Sequence, residues 1–547
     1  MSDLLYTCHC PLCGGKALFG DQLDAGGTSL AAAPPVPVVA YPYTGDYRID
    51  TLLLGVGTQT GLQALQYRWN AGSALGTPVT VTYSFMAAKP VYGGTDDGAG
   101  DFGFSQFTVA EKTAVRQIMA QLQQTLGINI VEVADSASQY GQIRLGNNFQ
   151  DFSAGYTWLP FSTGDDKGGD VWIDQRLAAG ASTITPGSFA WATLVHEIGH
   201  AFGLKHPGNY NAGSEPSTEP GNYLGAMEDN TNYTIMSYRD VQAGQQRDWY
   251  GMYDLLALKT LYGSGTPHSG DDIYAKQNSD GRTLEIIDDA GGVDTLDLSA
   301  VTRGSIVDLR PGSFSSVGFT ASGSGAVDNL SISLSTIVEK FVGTPFGDTV
   351  TGNDAANQFL LGGGANIADG GGGVDMAIYQ GSRAIYQVSV NGAAVSVSGP
   401  GLNDSLTNVE RLAFSDRNVA VDLGGAAGIT VKTLGAVFGA SSVTLHPEYV
   451  GLGLALVDSG ISYETLMQLA LNAREGGAPA SHAAIVELLF LNVVGAEPSP
   501  EQLAAYTSGL DSGSFTTAQL GIFAADNALN LAHIDFAGLS SHGIDYI

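Results

Sequence analysis

Apolar residues recur at helical spacing in the segment that follows Thr108. Thr108 and Glu111 have the three-residue separation of a capping box, and Gly127 can end a helix in a left-handed turn. Between them, one helical face collects Val115, Ile118, Met119, Leu122 and Leu126. The pattern predicts an amphipathic helix from about residue 108 to residue 126.

Short strands and a second helix are expected after this first helix. The runs 128–133, 142–146 and 155–159 are short and rich in apolar residues, which predicts strands. Ser188 can cap a helix that extends to about Phe202. Together these patterns indicate a mixed α/β (α+β) region over residues 46–262.

A nine-residue period replaces the helical pattern in residues 263–424. Asp348, Asn357, Asn366 and Asp375 stand nine positions apart, in a segment rich in glycine. Two positions after each comes an apolar or small residue, in the order Val350, Phe359, Ala368 and Ala377. This period is typical of a parallel β-roll that binds Ca²⁺ between turns. The alternative is a solvated Gly/Asn-rich linker.

Helical spacing returns in residues 425–547. Ile485, Leu488, Leu489 and Val493 share one face, and residues 497–501 have the prolines and acids of a helix start. The sequence therefore predicts four segments: a leader (1–45), an α/β domain (46–262), a parallel β-roll (263–424) and a small all-α domain (425–547). The helical tail faintly resembles a module appended to bacterial surface and calcium-repeat proteins, and a generic stabilising module is the alternative.

Charge excludes two classes of partner. Lys and Arg number 23 against 54 Asp and Glu, which gives a formal net charge of −31. A protein this anionic does not favour nucleic acid or an anionic lipid surface. The sequence contains no apolar run of membrane-spanning length, and its N-terminus has no Sec signal pattern.

The strongest chemical signal is a histidine motif on the second predicted helix. His196 and His200 are four residues apart, so both imidazoles point to the same side. Glu197 lies beside them, Gly203 can end the helix, and His206 follows as a third ligand. Three protein ligands suit Zn²⁺ and leave one position open, which indicates a catalytic site.

The histidine motif by itself does not establish catalysis. A lone His-Glu-x-x-His occurs by chance on ordinary helices, and a decayed protease would retain the motif without activity. A surface adhesion or anchoring protein with an inert protease fold is the alternative from another functional class.

The motif and its surroundings resemble the serralysins, bacterial metalloproteases of the metzincin group. The resemblance rests on residues 206–213, on the Met236–Tyr238 turn, on residues 82–85 and 253–263, and on two glycine-rich stretches, 289–297 and 311–318. It covers about residues 46–380. It implies that Glu197 is the general base, that Met236 underlies the zinc, and that Tyr238 lies near it; core packing is the alternative for Tyr238. It also implies that the strand 155–159 pairs with the substrate.

The same resemblance implies calcium ligands. It assigns Asp271, Asp272, Asp289, Gly291 and Asp294 to one site. Further sites would use Glu339, Asp348 and Asp375. Asn357, Asn366 and Leu361 depart from the family pattern, so we expect fewer bound ions. The resemblance further implies a secreted monomer, exported by a type I secretion apparatus, that acts on protein substrates.

The leader contains every cysteine of the chain, Cys8, Cys10 and Cys13, within six residues. One hypothesis is a small metal clip. A second is latency, in which a leader thiolate occupies the open position on the zinc. The third is a disordered start in which the cysteines have no role.

Overall fold

A computed structural model describes residues 44–53, 67–71, 73–90, 103–150, 153–160, 167–208, 223–241, 245–474 and 481–547. Cys8, Cys10 and Cys13 lie outside these residues, so the hypotheses for the leader stay predictions. The chain forms two compact units. The first contains Met1–Asp272, Gln277–Gly292 and Pro311–Thr336; the second contains Ile273–Lys276, Val293–Arg310 and Ile337–Ile547.

The helices of the first unit are α1 (Tyr47–Asp50), α2 (Val109–Leu126), α3 (Phe189–Ala201) and α4 (Met252–Tyr262). Those of the second unit are α5 (Ala426–Phe438), α6 (Ser442–Leu445), α7 (Pro447–Asp458), α8 (Tyr463–Arg474), α9 (His482–Val493), α10 (Pro500–Asp511), α11 (Thr517–Ala525), α12 (Ala528–His533) and α13 (Phe536–His542).

The strands up to residue 332 are β1 (Thr80–Phe85), β2 (Asn129–Glu132), β3 (Ile143–Asn148), β4 (Gly155–Thr157), β5 (Val171–Asp174), β6 (Gln246–Arg247), β7 (Ile273–Ala275), β8 (Thr283–Ile287), β9 (Thr295–Asp297), β10 (Ile306–Asp308), β11 (Phe314–Ser315) and β12 (Leu330–Ile332). The later strands are β13 (Lys340–Val342), β14 (Thr349–Thr351), β15 (Gln358–Leu360), β16 (Ile367–Asp369), β17 (Met376–Ile378), β18 (Gln387–Asn391), β19 (Ala394–Gly399), β20 (Leu402–Thr407), β21 (Arg411–Ala413), β22 (Asn418–Ala420) and β23 (Ile544–Tyr546).

The first unit is built on a five-stranded sheet in the order β2-β1-β3-β5-β4. All of its pairings are parallel except that of the edge strand β4, which runs antiparallel to β5. The predicted helix 108–126 is confirmed as α2. The Thr108 side chain accepts from the Glu111 N–H at 3.2 Å, and Glu111 Oε2 accepts from the Thr108 N–H at 2.6 Å. Gly127 ends α2 with a φ of 64°. A second sheet has the order β11-β12-β8-β6.

The predicted parallel β-roll is confirmed in the second unit. Strands β13 to β17 begin nine residues apart and alternate between two sheets, so each full coil takes eighteen residues. In one sheet Phe341, Phe359 and Ala377 stand in register, and in the other Val350 pairs with Ala368. All five side chains are buried, because the middle residue of each three-residue strand points into the roll.

A ladder of polar side chains accompanies this apolar core. Asp348, Asn357, Asn366 and Asp375 are all buried, and each exchanges hydrogen bonds with the backbone of other turns. The Asp348 N–H donates to Asn366 Oδ1 at 2.8 Å, and the Asn357 N–H donates to Asp375 Oδ1 at 2.7 Å. The nine-residue polar position therefore satisfies backbone groups that a roll of short strands would otherwise leave unpaired.

The regular alternation ends after β17. Strands β18, β19 and β20 form an antiparallel meander, and helices α5 to α13 follow. The expected all-α tail ends in a strand, because β23 pairs antiparallel with β22. Buried Arg411 donates to Asp422 at 2.5 Å and to Asp458, on α7, at 2.7 Å. The second of these ion pairs links helix α7 to strand β21, which pairs with β17 of the roll.

Among the described residues, no helix is both long enough and apolar enough to span a membrane.

We expect Phe359→Ala to destabilise the roll strongly. Phe359 is 0% exposed, and truncating a buried phenylalanine costs about 3–5 kcal/mol. Ile367→Ala is the matched control, because Ile367 lies on the neighbouring strand β16 and is 58% exposed. Far-UV circular dichroism during urea unfolding measures the loss. Equal midpoints for the two variants would contradict the predicted inward position of Phe359.

Candidate metal centre

Helix α3 carries two of the three predicted metal ligands. Ser188 caps it by accepting from the Trp191 N–H at 3.2 Å, and the helix ends at Ala201. His196 and His200 are both buried, and their ring centroids lie 4.8 Å apart. The four-residue spacing therefore places the two imidazoles together, as the sequence predicts.

The third histidine reaches the same point through the turn that follows α3. Gly203 has a φ of 100°, a conformation that favours glycine, and a Cβ there would collide with the carbonyl oxygen of Tyr67. The chain then reverses, and His206 returns toward α3. His206 is 2% exposed, and its Nε2 lies 3.2 Å from Nε2 of both His196 and His200.

The other ring nitrogens fix which atoms face this point. Nδ1 of His196 donates to the Ile235 carbonyl at 2.8 Å, and Nδ1 of His200 donates to the Leu204 carbonyl at 2.7 Å. A carbonyl can only accept, so these Nδ1 atoms carry the protons and both Nε2 atoms present lone pairs.

Burial keeps the two helix histidines neutral. Desolvation lowers the pKa of His196 to about 4, and it lowers the pKa of His200 well below the usual value. Three ligands at roughly 2.0–2.1 Å from a tetrahedral metal would stand about 3.3 Å apart. The observed 3.2 Å separations and the neutral imidazoles fit a metal ion held by His196, His200 and His206.

Glu197 lies beside this cluster on α3. It is 0% exposed, and its Oε2 accepts from the Thr157 hydroxyl at 2.8 Å. Gly155, two residues earlier on β4, faces the same carboxylate. A Cβ at Gly155 would stand only 2.9 Å from Glu197 Cγ, so the strand lies against this side chain.

The turn that contains Met236 and Tyr238 covers the histidines from another side. Met236 is fully buried, and its sulfur would stand 3.0 Å from a Cβ at Gly199 on α3. Tyr238 is half-buried, with its ring centroid 4.5 Å from that of His206 and 6.0 Å from that of His196. Both residues therefore lie close to the histidine cluster or to helix α3, and the roles that the resemblance implies for them stay predictions.

Asp254, near the start of α4, holds this turn in place. It is 0% exposed and accepts from the Thr234 hydroxyl at 2.5 Å, from the Ile235 N–H at 2.7 Å and from the Gly251 N–H at 2.8 Å. Because the Ile235 carbonyl orients His196, Asp254 acts on the metal centre through the turn.

Two of the predicted calcium residues of the first unit come together. Asp272 and Asp289 offer carboxylate oxygens within 4.8 Å of each other, and Asp289 Oδ1 accepts from the Gly291 N–H at 2.8 Å. Asp271 is exposed. In the second unit, Asp294 is buried, and its N–H donates to Glu339 Oε2 at 2.8 Å.

The remaining predicted calcium residues, Asp348 and Asp375, belong to the polar ladder of the roll. Asp348 accepts from the backbone N–H groups of Ser305 and Thr344, both at 2.7 Å. Burial raises the pKa of Asp348 above its usual value and raises that of Asp375 to about 7. Their assignment to calcium stays a prediction.

Sequence reasoning misses the residues that support the centre. The sequence identifies Thr157 and Gly155 only as parts of a strand, and Asp254 only as part of a segment similar to the serralysins. Strand alternation offers one usable signal, since residues 155 and 157 must share a face. No local pattern indicates that this face meets Glu197.

We expect Asp254→Asn to change the pH dependence of stability. Burial raises the pKa of Asp254 to about 6 from 3.8. A raised folded-state pKa stabilises the protein below the unfolded value, and that contribution is lost as the pH rises through about 6. Asparagine cannot ionise, so the free energy of unfolding of wild type minus that of the variant should fall by up to about 3 kcal/mol from pH 4 to pH 7.

Tryptophan fluorescence during urea unfolding of the metal-free protein measures this difference, because all five tryptophans lie in the first unit. The buried histidines titrate in both proteins, so their contributions cancel in the difference. A difference that stays constant from pH 4 to pH 7 would contradict the expected ionisation of Asp254.

Comparison with known proteins matches two family models to the chain. The one described as Metallo-peptidase family M12 matches residues 104–249, and the one described as Peptidase M10 serralysin C terminal matches residues 253–395. The first match contains the three histidines and Tyr238. The second covers most of the β-roll.

The names of similar curated proteins agree with these family descriptions. The chain is 32% identical to "Serralysin" of Proteus mirabilis over 320 residues, which is 53% of this chain and 62% of that protein. It is 29% identical to "Metalloprotease AprA" of Pseudomonas entomophila over 368 residues, 62% of this chain and 68% of the relative. It is 30% identical to "Metallopeptidase AprA" of Pseudomonas marginalis over 304 residues, which is 51% of this chain and 61% of that protein.

The match spans less than two thirds of the Proteus protein's length. Within the matched region, a metallopeptidase segment with three converging histidines is followed by a serralysin C-terminal segment with a parallel roll. The order of these two segments, and the names of the relatives, agree with the resemblance seen in the sequence. On these grounds residues 104–395 are similar to the serralysin-type metallopeptidases.

Proposed function

We propose that this chain is a secreted zinc metalloendopeptidase, stabilised by calcium, that hydrolyses peptide bonds in proteins. The observation that carries the proposal is the cluster of three buried imidazole nitrogens with Glu197 one residue after the first ligand. Names of relatives alone would leave open a decayed or inert protease fold, whereas this cluster retains each group that the chemistry needs.

Zinc is the metal that these ligands suit best. His196, His200 and His206 supply three nitrogens at tetrahedral spacing, and no fourth protein ligand is needed for a catalytic site. Bound zinc would acidify a water molecule and polarise the carbonyl of the scissile bond.

Glu197 is the proposed general base. It cannot easily ligate the same metal as its neighbour His196, because adjacent helical residues point about 100° apart. Its carboxylate takes a proton from the attacking water and later gives it to the leaving amine. The C–N bond breaks, and the products are a carboxylate and an amine.

Tyr238 is the proposed partner of the developing negative charge. Its ring lies against His206, and its half-buried position allows the phenol to move while it remains beside the ligands. A phenol can donate a hydrogen bond to an oxyanion. Met236 takes a structural role, because its buried side chain packs beneath α3.

Substrate would bind along β4. This strand is at the edge of the five-stranded sheet, and its residues Gly155 and Thr157 face Glu197. An extended peptide can add to such an edge as a further strand, which holds a backbone carbonyl in reach of the catalytic groups.

Calcium is proposed for the acidic turns of the roll and for Asp272 with Asp289. Asp272 and Asp289 offer carboxylate oxygens within 4.8 Å of each other, and hard oxygen ligands at turns suit Ca²⁺. Asn357 and Asn366 use neutral amides at positions of the same ladder. Fewer ions are therefore needed than in a roll with aspartate at every step. Export by a type I secretion apparatus belongs to the same proposal.

Glu197→Gln should abolish proteolysis while zinc remains bound, because the change removes the proton acceptor and no ligand. We expect kcat to fall by at least about 10²–10⁴-fold. Casein hydrolysis measures activity, and atomic absorption measures zinc. Glu487→Gln, at an exposed position on α9, is the control.

Near-normal casein turnover by the Glu197→Gln variant would refute the assigned role of Glu197. A wild-type protein that binds zinc and shows no chelator-sensitive turnover would favour the inert-fold alternative.

Removal of Ca²⁺ should unfold the roll, because its acidic turns then repel one another. Far-UV circular dichroism during titration of the metal-free protein with Ca²⁺ should show a transition near 10⁻⁴–10⁻³ M, roughly the range of extracellular modules. Mg²⁺ is the control cation. An Asn357→Asp, Asn366→Asp double variant should need a larger number of bound Ca²⁺ ions to fold. A far-UV spectrum that does not change with Ca²⁺ in either the wild type or this variant would contradict calcium-dependent folding.

A further inference from the structure

Thr157 is the last residue of the edge strand β4, and its side chain faces helix α3, which carries Glu197. Alternation along the strand puts Gly155 and Thr157 on one face and Tyr156 on the other, where Tyr156 stacks on Trp172. Both residues of the first face meet Glu197. The strand proposed to bind substrate therefore also contacts the proposed base.

The contact between Thr157 and Glu197 is a buried hydrogen bond to a carboxylate. Thr157 Oγ1 donates to Glu197 Oε2 at 2.8 Å, and both residues are 0% exposed. Hydrogen bonds to charged groups are roughly twice as strong as neutral ones. They also reduce the cost of keeping a carboxylate away from water.

Gly155, which lies on the same strand as Thr157, limits the positions that the Glu197 carboxylate can adopt. A Cβ at position 155 would lie 3.0 Å from Oε1, 2.9 Å from Cγ and 3.1 Å from Cδ of Glu197. The Glu197 side chain thus occupies the space that a side chain at position 155 would fill, while the Thr157 hydroxyl binds Oε2. These two contacts leave the carboxyl group little freedom to rotate.

We propose that Thr157 is a positioning residue for the general base: its hydroxyl binds Oε2 of Glu197 and so fixes the orientation of the carboxylate on helix α3. This inference rests on the proposed function and adds to it a residue outside the histidine motif. Because Thr157 belongs to the substrate strand, the same element sets the position of both the peptide and the base.

Three substitutions at position 157 separate a hydrogen-bonding role from a packing role. Thr157→Val keeps the shape and the β-branched side chain and removes only the donor. Thr157→Ser keeps the donor and removes a methyl group. Thr157→Ala removes both groups with little steric risk, so it provides a second test if the valine variant does not fold.

We expect kcat for a peptide substrate to fall on the order of 10- to 100-fold in Thr157→Val and Thr157→Ala, with KM little changed. Thr157→Ser should recover most of that loss. Zinc content should stay near the wild-type value in Thr157→Val and Thr157→Ser, because neither change removes a histidine.

Binding of a peptide hydroxamate provides a readout that does not depend on turnover. A hydroxamate ligates zinc and gives a proton to a nearby base, so its Kd reports the position of the Glu197 carboxylate. Isothermal titration of the zinc-loaded proteins should show weaker binding by Thr157→Val than by Thr157→Ser.

The outcomes distinguish this inference from the proposed function. An inactive, zinc-loaded wild-type protein would refute the proposed function. An active wild type with an equally active Thr157→Val variant would overturn the inference alone. Equal losses in Thr157→Val and Thr157→Ser would also overturn it, since they would indicate packing.

Discussion

The structure depends on keeping three imidazoles close together and away from water, with the two on helix α3 neutral. Burial lowers the pKa of His196 to about 4, and carbonyls of Ile235 and Leu204 fix the tautomers of the helix histidines. Neutral rings can stand 3.2 Å apart with their lone pairs converging, whereas charged rings would repel. The protein therefore prepares a site for a cation by keeping His196 and His200 neutral, with their Nδ1 protons donated to carbonyls and their Nε2 lone pairs available.

Separate elements of the first unit maintain that arrangement. Helix α3 supplies two ligands and Glu197, the turn at Gly203 returns His206, and the turn around Met236 supplies the carbonyl that orients His196. Asp254 on α4 holds that turn, and Thr157 on β4 binds Glu197. The Ile235 carbonyl, Asp254 and Thr157 are all buried hydrogen-bonding groups. Removing any of them is therefore expected to change the position of a histidine or of Glu197.

The roll also contains buried polar groups that need partners, and it supplies them from one repeated side-chain position. Three-residue strands leave many turn N–H groups inside the structure, and the side chain at every ninth residue accepts from them. Asparagine does this without charge, whereas buried aspartate does so at an electrostatic cost, visible in the raised pKa of Asp375. The mixture of the two residues therefore sets the electrostatic cost of the ladder.

The sequence by itself determined the elements whose signals are local and periodic. The capping box at Thr108, the helical spacing of His196 and His200, and the nine-residue period of the roll each follow from backbone geometry over a few residues. Only the tertiary structure decided that β4 lies against Glu197, that Asp254 supports the Met236 turn, and that β23 returns to the roll sheet. Those contacts join residues tens of positions apart or more. They depend on how sheets and helices pack, which no short sequence pattern encodes.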